Sequence, residues 1–174
     1  VTLIPWSKEI ISILLGDAYL PGSLTLTIML LYPIHQSLGQ INGTIFYATE
    51  STRDYVIGNI IFLIISLIST YYVLAPTDFI IPGLNLGSVG VALKLVLLQL
   101  IQANIFSWYI YKQFKSKYDF IFNIYWIIYS LLFMFISYSI IDIFSFTNFH
   151  IKFFITTIFY FILMFSLALY KPQM

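Results

Sequence analysis

The chain has 174 residues, 60% of them hydrophobic and 9% charged, with a net charge of +1 and a mean hydropathy of +0.94. Soluble domains carry about a quarter charged residues, so so few charges cannot cover a water-facing surface, and the composition points to an all-α integral membrane protein. The near-zero charge excludes an electrostatic footprint for nucleic acid, and with no cysteine there is no disulfide framework or thiolate metal site.

Taken in chain order, residues 1–22 form a connection and residues 23–174 a transmembrane helix bundle. Pro5 and the pair Lys8-Glu9 interrupt Val1–Leu15. That stretch reads as the tail of a preceding membrane helix, then a short amphipathic turn over Ser7–Leu15, ending at the Pro21-Gly22 break. No signal peptide is read after Val1, and the chain reads as a piece that begins in mid-sequence.

Crossing the hydrocarbon takes about 20 apolar residues, and about five such ranges follow. The first is 23–48, with Ser23 as its cap and the Thr49–Arg53 turn as its end. The second is 52–74, where Ser51 and Asp54 read as a capping-box variant and Ala75-Pro76 marks the exit. The remaining three are 87–111, 119–144 and 149–170, the last with Asn148 as cap. Barrel strands are excluded, because the apolar runs are too long and do not alternate.

Lys and Arg near the helix ends set orientation. If the first full helix starts outside, the inside set is Arg53, Lys112, Lys115, Lys117 and Lys171, against Lys8 and Lys152 outside, five to two. This predicts a cytoplasmic C-terminus and an external Pro76–Leu86 loop. Trp108, Tyr109 and Tyr111 fit an inner aromatic belt. Asp142 reads as interfacial.

The polar residues inside these ranges are the informative ones. Tyr32, Gln36, Gly39, Gln40 and Gly43 recur at one-face helical spacing. Gly39 and Gly43 form a small-xxx-small pair that admits a close neighbour. An amide facing lipid costs several kcal/mol, so Gln36 and Gln40 either bridge helices or wall a wet cavity. His35 lies off this face and reads as a packing residue, and Pro33 as a kink. Gly58, Asn59, Ser66, Ser69 and Thr70 make a small-residue packing stripe on the second helix. Gly87 and Gly90 open the third, followed by Lys94. Lys94 either snorkels to the interface or puts a cation in a cavity. Gln99, Gln102 and Asn104 carry polarity deeper, with Lys94 and Gln102 on a shared face. No HExxH, GxSxG, phosphate loop or intrahelical acid pair is present. The chain is therefore not read as an enzyme, and no cofactor or metal is implied.

The order of these motifs carries a resemblance. "SKEIISILLGDAYLPGS" is followed by a helix ending "PIHQSLGQINGTIFYATESTRDY", then a helix, a loop, and "GLNLGSVGVALK" opening a helix that ends in lysines. Over about residues 5–115 this resembles the C-terminal half of the Wzx-type polysaccharide flippases of the multidrug/oligosaccharidyl-lipid/polysaccharide exporter superfamily. The family's Gly-acidic-x-Tyr turn matches Gly16-Asp17-Ala18-Tyr19, and its Gly-x-x-Gly-x-Ala helix start matches Gly87, Gly90 and Ala92. One departure is Glu50, where the family turn often has Gly before its basic residue. The last two helices are similar to the family in hydropathy alone.

The resemblance implies a polytopic helix bundle forming most of the C-terminal lobe of a two-lobe transporter, with an N-terminal lobe supplied by the missing part of the protein. It implies flipping of undecaprenyl-pyrophosphate-linked oligosaccharide, an O-antigen or capsule repeat unit, across a bacterial inner membrane by alternating access. The partners would be that lipid-linked substrate and the membrane lipids. Gln36, Gln40, Asn42 and Gln102 would offer a sugar neutral donors and acceptors, and Lys94 would meet the pyrophosphate. Gly39, Gly43, Gly58, Gly87 and Gly90 would serve helix packing. The rival readings are a drug/cation antiporter of the same superfamily, expected to carry a cavity carboxylate, and a membrane oligosaccharide polymerase or ligase, expected to carry Arg or His in a long external loop. A structural subunit, with every polar group spent between helices, is the third.

Overall fold

The computed structural model describes residues 1–114, 120–144 and 148–170. Their secondary structure is all helical, without strands, in the order α1 (Ser7–Leu15), α2 (Ser23–Met29), α3 (Tyr32–Ala48), α4 (Thr52–Leu74), α5 (Gly87–Phe114), α6 (Phe120–Ile143) and α7 (Phe149–Tyr170). Short 3₁₀ turns flank α1. Lys115, Lys117 and Lys171 lie outside the described residues. Among the described residues, three helical stretches are long and apolar enough to cross a membrane: Thr52–Leu74, Gly87–Phe114 and Phe149–Leu167, while Ile127–Ile143 is a shorter apolar run. The helix α4 has no buried residue, and Ile60, Ile64, Leu67 and Ile68 are all exposed on it. Water would charge about 25 cal/mol for each Å² of that surface, and lipid would not. These helices fit a membrane protein.

The chain falls into two units, Trp6–Tyr118 and a second made of Asp119–Met174 with Val1–Pro5. In the first, α5 is central. Along it, α2 and α3 run parallel, since Thr25 meets Ser88 and Asn42 meets Ala103 and Ser107. The helix α4 runs antiparallel to α5, since Asp54 meets Tyr109, Asn59 meets Gln102 and Thr70 meets Lys94. The end of this unit where α3 gives way to α4 is an aromatic cluster. Phe46 stacks on Tyr55 with centroids 5.3 Å apart and meets the edge of Phe106 at 5.5 Å, with Ile110 beside them.

The first expected span is not one helix. It breaks at Leu30–Leu31, where the Leu31 N–H turns to the Ile28 carbonyl (3.1 Å) and the Ile34 N–H to the Leu31 carbonyl (3.3 Å). Pro33, second residue of α3, is the cause. It has no N–H, its ring crowds the carbonyl four residues earlier, and it disfavours helix at the residue before it. Ser23 opens α2 as a helical residue, and the cap position belongs to Gly22 without a side-chain bond.

The helix α3 closes in a Schellman motif. The Ser51 N–H reaches the Phe46 carbonyl (3.0 Å) and the Glu50 N–H the Tyr47 carbonyl (3.3 Å). Glu50 has φ 58, the left-handed position where glycine is usual. Ser51 does not form a capping box with Asp54. Its hydroxyl accepts from Gln113 (3.1 Å), and Asp54 accepts the Tyr109 hydroxyl. Beyond α4, the 75–86 loop folds back on the helix end. N–H groups of Leu84 and Leu86 reach the Tyr72 and Val73 carbonyls at 2.8 and 3.0 Å, satisfying acceptors that a helix end leaves open. Gly87 then starts α5 at φ 58.

In the second unit α6 and α7 pack antiparallel. The Ser130 and Tyr160 hydroxyls bond at 2.8 Å, and Lys152 pairs with Asp142 toward the other end. Ser137 and Thr156 are fully buried between them, each hydroxyl bonded to a carbonyl of its own helix. Asn148 caps α7 by accepting the His150 N–H (3.1 Å).

Candidate functional site

Because α3 and α4 each pack along α5, a groove is left between them with α5 as its floor. Tyr55 bridges the two walls at the end beside the 49–51 turn, its ring lying against Phe46 and Tyr47. The groove has two adjoining hollows of about 240 Å³ each, and Tyr32, Asn59, Gln99 and Gln102 line both. One hollow is also lined by Gln36, Gly39 and Gln40 from α3, the other by Phe62 and Ser66 from α4.

Gln36 and Gln40 are exposed in this groove, and no described residue bonds to either amide. Gln102 donates from Nε2 to Asn59 Oδ1 (2.8 Å), and Asn59 donates to the Tyr55 carbonyl (2.9 Å). Tyr32 reaches Gln99 Oε1 at 3.5 Å, the limit of a hydrogen bond. A Cβ on Gly39 would come within 3.0 Å of Gln99 Nε2, so glycine at 39 gives Gln99 its place on the floor.

Asn42 stands apart from the groove. It is 5% exposed, and its Nδ2 donates to the Ala103 carbonyl (2.8 Å) and to Ser107 Oγ (3.0 Å). It joins α3 to α5. Helical arithmetic accounts for this: Asn42 lies one residue, about 100°, off the face that carries Gly43 and Gln36.

Lys94 crosses to α4. Its ammonium donates to Thr70 Oγ1 (2.8 Å), Ser66 Oγ (2.9 Å) and the Ser66 carbonyl (3.2 Å). An ammonium has three N–H donors, and these three acceptors use them. Its stem lines another hollow, of about 410 Å³ and mainly apolar walls, including Val73, Val89, Leu93 and Leu97. Ser66 borders both Lys94 and the amide-lined groove. Lys94 and Gln102 both face α4, as their spacing predicts, but they bond to it separately.

The glycines divide by role. A Cβ on Gly43 would fall 2.8 Å from the Tyr55 hydroxyl, one on Gly58 2.5 Å from Phe106, and one on Gly90 2.7 Å from Val73. Each is a place where neighbouring helices come close. Gly87 is different: nothing lies within 4 Å of its Cβ position, and its φ of 58 is the reason for glycine there. The stripe on α4 is polar more than small, since Asn59, Ser66 and Thr70 bond to α5 side chains. His35 is buried at 3% exposure, with Nδ1 unpaired. Among the described residues no group of three or more His, Asp or Glu is placed to hold a metal ion.

Tyr32, Tyr55, Asn59 and Gln99 are groove residues that the sequence does not single out as a site. Asn59 hides in a stripe of small residues. The spacing of Gln99 and Gln102, three apart on α5, is the signal that both amides share a side of that helix. No family model, curated relative or solved structure matches this chain.

Proposed function

We propose that this chain forms most of one lobe of a two-lobe, alternating-access membrane transporter of the Wzx type, with about five membrane crossings in the lobe. It would flip undecaprenyl-pyrophosphate-linked oligosaccharide across a bacterial inner membrane. The observation that carries the reading is the groove lined by Gln36 and Gln40 of α3 and by Asn59, Gln99 and Gln102 of α4 and α5, the latter two helices being long and apolar enough to cross a membrane. Polar groups inside a membrane are expensive and serve a function or a partner. Asn42 and Lys94 have partners within the chain, while Gln36 and Gln40 have none among the described residues. Carboxamides both donate and accept, which suits a molecule rich in hydroxyls. The order of motifs in the sequence supports the same family.

An antiporter coupled through a cavity carboxylate is less well supported, since no Asp or Glu lines the groove. The test is export in a cell whose own flippase has been removed. The full-length protein should restore surface glycan. The Gln36→Ala/Gln40→Ala double variant, present in the membrane at normal level, should lose most of that export and leave lipid-linked glycan on the cytoplasmic face. Full export by the double variant would remove the groove from the transport path.

A further inference from the structure

Across the groove the lining is uncharged. It holds no Asp, Glu, Lys, Arg or His. The remaining polar groups are the carboxamides of Gln36, Gln40, Asn59, Gln99 and Gln102 and the Ser66 hydroxyl. Lys94 bonds to the lining residue Ser66 from outside the groove, and its donors are taken by Ser66 and Thr70. It lies eight residues from Gln102, about 12 Å along α5 at 1.5 Å per residue. The nearest acid on α4 is Asp54, which accepts the Tyr109 hydroxyl and lines a different hollow.

The groove also offers apolar ring surface, from Tyr32 and Tyr55 together with Phe62 and Phe106. A pyranose has the matching character, with hydroxyls around its rim and C–H groups on its faces. Amides meet the rim and rings meet the faces. A carboxylate brought into the same space would find dipoles but no cation with a free N–H, and a desolvated charge without a partner is disfavoured.

We infer that the groove between α3 and α4 is a subsite for an uncharged sugar and discriminates against sugars that carry a carboxylate. This rests on the transport reading above and adds the substrate class to it. Gln40 sets the discrimination at the open side, because its amide is exposed, lines the groove and has no partner among the described residues.

The test uses the full-length protein in proteoliposomes and two probes on the same polyprenyl-pyrophosphate, a trisaccharide of neutral hexoses and one with glucuronic acid in the same linkage. The neutral probe should flip at least tenfold faster. Gln40→Lys, which places an ammonium in the groove, should bring the ratio toward one by raising the acidic rate. Equal rates for the two probes with the unaltered protein would overturn the subsite and leave the flippase reading standing. If neither probe flips, the flippase reading fails. The subsite is then decided by saturation-transfer NMR on the detergent-solubilised protein, where methyl glucoside must give a signal and methyl glucuronide must not. Equal signals, or no signal from the glucoside, overturn it.

Discussion

Asn42 and Ser107 hold each other across the α3–α5 interface. The amide nitrogen donates to Ser107 Oγ at 3.0 Å, the amide oxygen lies 3.2 Å from the same hydroxyl, and both side chains bond the Ala103 carbonyl. Between membrane helices a hydrogen bond contributes about 0.6 kcal/mol on average and at most about 1.7. Asn42→Ala removes its bonds to both the Ala103 carbonyl and Ser107 and opens a small void. It should lower stability in detergent by about 1–2 kcal/mol, read as a fall in melting temperature, while export per folded molecule stays within twofold of normal.

Gln36 and Gln40 should behave in the opposite way. Cysteine at either position should react with a membrane-impermeant thiol reagent in at least one transport state, since both side chains are exposed in the groove. Cysteine at Asn42, which is 5% exposed, should be protected. Protection of all three, equal to that of a cysteine at the outward-facing Ile60, would show that the groove is dry.

Lys94 gives an asymmetric expectation. Its ammonium is held by three oxygens on α4. Replacing it by Met removes charge and bonds together and leaves two hydroxyls, of which Thr70 is already bonded to the Ser66 carbonyl. That change should cost about 1 kcal/mol. Ser66→Ala with Thr70→Val instead leaves the charge only the backbone carbonyl of residue 66, and should cost about 3 kcal/mol, because an ion that loses two of its three partners in a low-dielectric setting loses more than its bonds. Thermal unfolding of the two proteins checks the order. If the Met variant is the weaker, the ammonium is solvated through its own stem.

Glu50 predicts a gain. With φ at 58 it occupies the position after α3 that glycine fills without a Cβ penalty. Glu50→Gly should raise stability by about 0.5–1 kcal/mol, less the extra freedom glycine has in the unfolded chain. A shift of melting temperature upward by a degree or more supports it, and a fall shows that the Glu50 carboxylate has a partner of its own.

Long elements were legible and short-range partners were not. The span of α4 coincides with the apolar run 52–74, and Asn148 caps α7 as its type and position suggest. Pro33 was a readable signal, yet the chain breaks before it, at Leu30–Leu31, because the ring displaces bonds of the preceding turn. Ser51 and Asp54 have capping-box spacing, but Gln113 and Tyr109 of α5 compete for them and are better placed. Tertiary partners of this kind leave no trace in local spacing. The same is true of the groove. The face bearing Gln36 and Gln40 follows from helical periodicity, whereas Asn59 and Gln99 join it only because α4 and α3 flank α5. Lys94 could be picked out as costly, but its choice of Ser66 and Thr70 depends on the antiparallel register of α4 and α5.

The central place of α5 also bears on the order of synthesis. It is the last of the three helices to leave the ribosome, after α3 and α4. It brings the partners of Asn42 on α3 and of Asp54, Asn59, Ser66 and Thr70 on α4. Until it is made, those polar groups lack their partners on α5. Its arrival pairs them in a single step, so a nascent chain truncated before Gly87 should be retained by the insertion machinery or cleared, and one extended past Phe114 released.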